Sequence, residues 1–161
     1  MRRWNYEICS SVTGNTKKLA EVIKNKVGEC YFGKTSDEAL AADIVFVGFW
    51  AIGNSWGADV KNFIEKLSGK KVFIFGTVGY GNSKEYFDEI LNNVKPHISV
   101  SNTIIGTYIC QGKVTDAIQT KIKESMPEKY ELIKDKLAES VNHPNEDDIN
   151  LLISEIDKII L

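Results

Sequence analysis

Residues Ser10-Ser11-Val12-Thr13-Gly14-Asn15-Thr16 put five hydroxyl- or amide-bearing side chains and one glycine into seven positions. A strand-like stretch, Trp4 to Cys9, precedes them, and a helix-like stretch, Lys17 to Lys24, follows. The turn itself holds no acid and no lysine. Small neutral donors at a strand-to-helix turn suit an anion. The first N–H groups of a helix have no partner inside it, and the helix dipole favours negative charge there. Ser and Thr add donors without charge or bulk, and Gly14 lets the backbone curl close to a ligand. One such residue is enough to cap a helix, so the whole run reads as a seat for a phosphate.

Residue types exclude several rival chemistries. A Walker A loop needs Gly-Lys-Ser/Thr, and no Lys follows Gly14 directly. A dinucleotide fingerprint needs three spaced glycines, and this loop has one. A cysteine-phosphatase loop would place Arg six residues after Cys9, where Asn15 stands. A receiver domain needs acids at the ends of the first and third strands, which here read Cys9-Ser10 and Phe49-Trp50. The two histidines, His97 and His143, show no acid/base or nucleophile partner in the sequence. His97 reads as a surface turn residue and His143 as a helix-start residue beside Pro144. No catalytic residue and no metal ligand is assigned.

Two further loops follow strand-like runs. Phe49 to Gly57 carries Trp50 and Trp56 in a polar, glycine-containing stretch. A flat aromatic ligand would account for them; so would one Trp capping the core and the other joining a dimer contact. Gly76 to Ser83 carries three glycines and Tyr80. It reads either as a loop whose amides approach a ligand or as a turn before a Ser-capped helix.

The elements that must position these loops are visible in the apolar runs. They are Trp4 to Cys9, a weaker one at Cys30 to Phe32, Ile44 to Trp50, Val72 to Val78 and Thr103 to Cys110. Ile44 to Trp50 and Val72 to Gly76 are apolar throughout, as in a parallel sheet covered on both faces. Helical stripes fill the gaps: Leu19, Val22, Ile23 and Val27; then Val60, Phe63, Ile64 and Leu67; then Tyr86, Phe87, Ile90, Leu91 and Val94. This alternation is the mark of a doubly wound α/β domain. Beyond Cys110, Val114 to Tyr130 and Glu131 to Val141 are charged and helical, interrupted at Met126-Pro127. Pro144 to Asp148 then starts a last helix with acids in its first turn. Its face of Ile149, Leu152, Ile153, Ile156, Ile159 and Ile160 should pack on the sheet. The chain reads as a single domain, 1–161, with a helical excursion at 114–143 and a covering helix at 145–161.

Bulk properties narrow the classes. A chain of 161 residues suits one domain with a full core. A net charge of -2 makes no electrostatic case for nucleic acid. There are 11 basic and 8 acidic residues up to Tyr80, and 9 against 14 beyond it, so the acidic surplus lies in the helical C-terminal part. No apolar stretch approaches a membrane span, and no apolar run follows Met1-Arg2-Arg3-Trp4 as a secretion signal would require. Cys9, Cys30 and Cys110 are far apart, without metal spacing, and read as buried thiols of a cytoplasmic protein.

Ser11 to Thr16 fit the pattern Ser/Thr-x-Thr-Gly-x-Thr, and here the chain resembles the flavodoxin family. The likeness runs over the five strand–helix units, about residues 3 to 112. It implies a flavodoxin-like five-stranded parallel sheet in the order 2-1-3-4-5, with helices on both faces and an extra helical segment after the fifth strand. It implies noncovalent FMN, with the phosphate held by Ser10, Ser11, Thr13, Gly14, Asn15 and Thr16. Ala51-Ile52-Gly53-Asn54 is similar to the family's loop beside the isoalloxazine ring, so Trp50, Ala51, Ile52 and Gly53 would border the flavin. Thr77, Val78, Gly79, Tyr80 and Gly81 would approach its pyrimidine edge. Which of Trp50, Trp56 and Tyr80 stacks on the ring stays open. Cys110-Gln111-Gly112-Lys113, and His143-Pro144 followed by acids, are similar to stretches in a subgroup of small single-domain flavodoxin-like proteins. Trp56-Gly57 stands where the family usually has acids.

The function so implied is electron transfer: an FMN-binding protein shuttling electrons to a partner reductase. The alternatives are an FMN-dependent NAD(P)H or quinone reductase, and an accessory electron-donor subunit of a larger reductase system. The expected partner is a redox protein, with neither nucleic acid nor a membrane span involved, and the chain is a monomer or homodimer. The excursion at 114–143 would cover the flavin or form the partner surface.

Overall fold

A computed structural model of the chain describes residues 5–9, 14–28, 30–33, 40–51 and 57–159. Five strands form one parallel sheet: β1 (Asn5–Cys9), β2 (Cys30–Gly33), β3 (Ile44–Ala51), β4 (Lys71–Val78) and β5 (Thr103–Gln111). Their order is β2-β1-β3-β4-β5, so the direction of winding reverses between β1 and β3. Among the described residues six α-helices accompany them: α1 (Asn15–Val27), α2 (Ala58–Ile64), α3 (Lys84–Val94), α4 (Asp116–Ser125), α5 (Pro127–Glu139) and α6 (Glu146–Asp157). The expected architecture, a parallel sheet with helices on both sides, is borne out.

The all-apolar runs are divided between two cores by the two-residue period of a strand. On one face Val45, Val47 and Phe49 of β3 join Val72, Ile74 and Val78 of β4. They pack under Val60, Phe63 and Ile64 of α2 and Ile90, Leu91 and Val94 of α3. On the other face Phe46 of β3 and Phe73 and Phe75 of β4 pack under Leu19, Ala20 and Ile23 of α1 and Leu152 and Ile156 of α6. Gly48 leaves room for the Phe75 ring, which lies across the position a side chain would need. Burying a large apolar side chain contributes about 1.5–3 kcal/mol, so these two layers hold the strand ends in fixed relation.

Past β5 the chain makes a closed excursion. The backbone N–H of Lys113 donates to His143 O at 2.8 Å, and that of Val114 donates to Ser140 Oγ at 3.1 Å. Ser140 Oγ in turn donates to Leu137 O at 2.6 Å. The departing and returning strands of chain are thus pinned side by side. Between them α4 and α5 pack on each other, with Ile122 and Leu137 buried. The expected interruption is real: α4 ends before Met126, and α5 starts at Pro127, the helix position where a missing N–H costs nothing. No second boundary exists at Tyr130-Glu131. Helix α5 runs unbroken to Glu139, and only Leu137 within it is fully buried.

The start of α6 is locked more tightly than acids beside a dipole would require. Asn145 Oδ1 accepts from Asp148 N at 3.0 Å, and Asp148 Oδ2 accepts from Asn145 N at 2.8 Å, a reciprocal capping box. The same Asp148 oxygen lies 2.6 Å from His143 Nδ1. His143 is therefore a helix-start residue. His97 sits in a short 3₁₀ turn, Lys95–His97, with its Nδ1 3.7 Å from Glu65 Oε1.

Candidate functional site

The carboxyl ends of β3, β4 and β5 meet the amino end of α1. Gly14 caps this helix with φ of +86°, a left-handed backbone that glycine adopts without cost. The first bond of the helix runs from Lys18 N to Gly14 O at 3.1 Å. The first N–H groups of a helix have no acceptor within the helix itself. No acid stands in this first turn, so its dipole is available to an anion.

Thr16 fastens this helix end to the sheet. Its Oγ1 donates to Phe49 O at 3.1 Å and meets Thr77 Oγ1 at 3.0 Å, with both threonines fully buried. A carbonyl only accepts, so the single proton of Thr16 goes to Phe49 and Thr77 donates to Thr16. Asn15 is likewise turned to structure, donating from Nδ2 to Lys113 O at 2.8 Å. It lies so close to Gly112 that a Cβ there would sit 2.8 Å from that nitrogen. These two residues bind the helix end to β3, to β4 and to the chain just past β5.

The neighbouring loops are stitched in the same way. Gly79 N donates to Ala51 O at 3.4 Å, and Gly112 N to Val78 O at 3.0 Å. Val78 and Gly79 are buried, and Gly81 packs against the Tyr86 ring. Trp50 and Thr77 face each other in the β3–β4 register. Trp50 Nε1 is buried with no acceptor, and Gln111 Oε1 is buried with no donor, although Gln111 Nε2 reaches Lys136 O at 3.1 Å. Such orphaned groups are costly, and the Trp50 donor lies on the strand that leads into the site.

Tyr80 and Gly81 line a cleft of about 650 Å³ whose far wall is α5, through Lys129, Ile133 and Lys136. The Lys129 ammonium sits 4.9 Å from the centre of the Tyr80 ring. Burial pushes the Tyr80 phenol up and the Tyr86 phenol up to about 12, so both are neutral donors near neutral pH. A smaller cleft of about 170 Å³, lined by Asn15, Lys18, Lys113 and His143, adjoins the start of α1.

Of the residues expected at the site, Gly14, Asn15, Thr16, Trp50, Ala51, Thr77, Val78, Gly79, Tyr80 and Gly81 lie at these adjoining strand ends and loops. Ser10, Ser11, Thr13, Ile52 and Gly53, with Trp56, fall outside the described residues. The local pattern did not show that Asn15, Thr16 and Thr77 spend their side chains on one another's elements. Cys110 is a buried free thiol whose pKa is pushed up by burial. Among the described residues no group of three or more His, Cys, Asp or Glu could hold a metal ion, and no helix is long and apolar enough to cross a membrane.

A family model described as a flavodoxin domain matches residues 7–157. This chain belongs to the flavodoxin family. It is 33% identical over 152 residues to the flavodoxin-like domain-containing protein BilS of Clostridioides difficile (strain CD3), covering 87% of this chain and 86% of that protein. Its fold is similar to oxidised Flavodoxin 2 from Bacillus cereus, with a TM-score of 0.54 at 17% identity, over 96% of this chain and 99% of that one. It is also similar to a flavoprotein from Lactobacillus acidophilus NCFM solved in complex with FMN, with a TM-score of 0.50 at 13% identity, over 68% and 94% of the two chains.

FMN is the cofactor that family membership brings, and the residues present fit it. An acid-free helix start suits the phosphate. The unpartnered Trp50 N–H and the glycine-rich Val78 to Gly81 turn suit a flat, acceptor-rich ring.

Proposed function

We propose that this protein is an FMN-binding electron carrier that takes electrons from a reduced donor and passes them to a partner reductase or acceptor protein. One observation carries the reading. The α1 start, tied through Thr16 to Phe49 of β3 and Thr77 of β4, has no acid in its first turn and so favours an anion at its amino end. Backbone amides from Gly14 to Lys17, with Ser10, Ser11 and Thr13, would hold the phosphate. Trp50, Gly53 and the turn from Thr77 to Gly81 would border the ring. The bound flavin supplies the redox chemistry, and the protein supplies position and electrostatics. The winding reversal between β1 and β3 supports the placement, since ligands of open α/β sheets bind at such a point. Cytoplasmic work fits the buried free thiol of Cys110.

The cleft of about 650 Å³ beside Tyr80 favours a second reading. A nicotinamide or quinone placed there would make the protein an FMN-dependent reductase. The visible spectrum of the purified protein tests the shared premise: a yellow sample, or FMN uptake by the colourless apoprotein, is expected. A protein that takes up no FMN would overturn both readings. Steady NAD(P)H oxidation with a quinone, by this chain alone, would replace the carrier with the reductase. A dedicated accessory subunit would turn over only with its own reductase added.

A further inference from the structure

The helical excursion brings positive charge to the edge of the flavin site. Along α5, Lys129, Ile133 and Lys136 recur at helical spacing and form one wall of the cleft that Tyr80 lines. The wall is held in place. Leu137 is fully buried, Lys136 O accepts from Gln111 Nε2, and Ser140 and His143 tie the end of the excursion to the start of it. Among the described residues neither Lys129 nor Lys136 makes an ion pair. Among the described residues Glu139 is the one acid lining the same cleft. Tyr80 and Tyr86 add no charge there near neutral pH, since phenols ordinarily stay protonated to about pH 10 and burial raises both further.

We propose that Lys129, seated on the Tyr80 ring and backed by Lys136, raises the reduction potential of the bound flavin, while Glu139 opposes it. The proposal rests on the reading that Tyr80 borders the flavin. Electrons added to a bound ring increase its negative charge, and a nearby cation favours that state over the oxidised one. Lys129 occupies one face of Tyr80, so a cofactor would meet the ring from its other face or its edge. Reduction would then occur with an ammonium 4.9 Å beyond the ring centre. The lysines are exposed, so salt screens much of the effect.

The test is the midpoint potential of FMN-loaded protein in wild type, Lys129→Gln, Lys129→Arg and Glu139→Gln, at low and at high salt. Lys129→Gln should lower the preference for reduced over oxidised cofactor about threefold per electron, equal to about 28 mV. Glu139→Gln should raise the potential. Lys129→Arg should restore the wild-type value, which a side chain needed only for packing would not do. The differences should shrink in about 1 M salt, where charges are screened within about 3 Å. Unchanged potentials in both charge variants, or shifts of the same sign, would overturn the proposal. Tyr80→Ala separates the two levels. If it leaves FMN affinity unchanged, Tyr80 does not border the flavin and the underlying reading fails. If it weakens affinity while Lys129→Gln leaves the potential unmoved, only the electrostatic proposal fails.

Discussion

Replacing Thr16 with valine separates holding the helix end from holding the cofactor. Valine keeps the shape and the backbone amide but removes the hydroxyl. Two bonds go with it, to Phe49 O at 3.1 Å and Thr77 Oγ1 at 3.0 Å, in a place closed to water. The Thr77 hydroxyl is then buried without a partner, and an orphaned buried polar group costs about 1–3 kcal/mol. With the lost bond to Phe49, the apoprotein should lose about 2–3 kcal/mol of stability, or about 5–10 °C in Tm for a chain of this size. Thr77→Val alone leaves Thr16 donating to Phe49 and should cost only about 1 kcal/mol. The double variant removes donor and acceptor together, so it should cost less than the sum of the two by about 1 kcal/mol. Urea unfolding of the three apoproteins measures this. FMN affinity by titration calorimetry should fall by less than about tenfold in Thr16→Val, because the helix end loses two of its ties but no cofactor bond is removed. An affinity loss beyond tenfold with undiminished apoprotein stability would refute the reasoning. It would mean that the hydroxyl donates to the phosphate rather than to Phe49.

Gly14→Ala should cost stability, of the order of 1 kcal/mol, and should weaken FMN binding as well. Its φ of +86° is the whole cause, since nothing lies within 4 Å of the added methyl; an asparagine there should be better tolerated in both assays. Gly112→Ala would press a methyl to 2.8 Å from Asn15 Nδ2 and should displace the Asn15 bond to Lys113. Thermal unfolding should show a loss of about 1–3 kcal/mol, and binding should weaken because the helix end loses one of its ties. The Tyr86 phenol, raised by burial from about 10, the ordinary tyrosine value, to about 12, makes a pH prediction. Its proton leaves the unfolded chain first as pH rises, so its contribution is complete below about pH 10 and is lost between about 10 and 12. Spectrophotometric titration of wild type against Tyr86→Phe should show one phenol missing from the step near pH 12.

How much of this was legible depended on whether the cause was local. Two strands covered on both faces announce themselves, because Ile44 to Trp50 and Val72 to Gly76 can be apolar throughout only if both faces are buried. The glycine inside the hydroxyl-rich turn was equally readable, since a left-handed cap favours that residue. The break at Met126-Pro127 followed from proline, while the supposed boundary at Tyr130-Glu131 had no breaker residue behind it. The destination of the polar side chains was not legible. Asn15 and Lys113 are 98 positions apart, and Thr16 and Thr77 are 61 apart. Nothing in a seven-residue window distinguishes a hydroxyl aimed at a ligand from one aimed at a neighbouring strand. One missed feature did carry a signal. Asn145 followed three residues later by Asp148 is the spacing of a capping box.

The two short stretches to which the sequence lent no chemistry acquire a role once their partners are known. Cys110-Gln111-Gly112-Lys113 and His143-Pro144 lie about thirty residues apart, yet Lys113 N bonds to His143 O and Asn15 Nδ2 bonds to Lys113 O. The first stretch thus braces the start of α1, and the second braces the first. His143 is itself held by Asp148, whose carboxylate also closes the capping box of α6, and Tyr108 donates to Asp148 O at 2.6 Å. From the covering helix to the amino end of α1 there runs an unbroken series of hydrogen bonds, most of them at least partly buried. A weakness anywhere along it should reach the cofactor through position rather than contact. Asp148→Asn keeps the size but weakens the acceptor of both His143 and the Asn145 amide, bonds to a charged group contributing about 1.5–3 kcal/mol. Its expected signature is lower apoprotein stability with FMN affinity reduced in step. Saturating FMN should then recover part of the lost Tm, because binding stabilises the folded state by mass action. Lost affinity without lost stability would place Asp148 in contact with the cofactor and break the series at its second link.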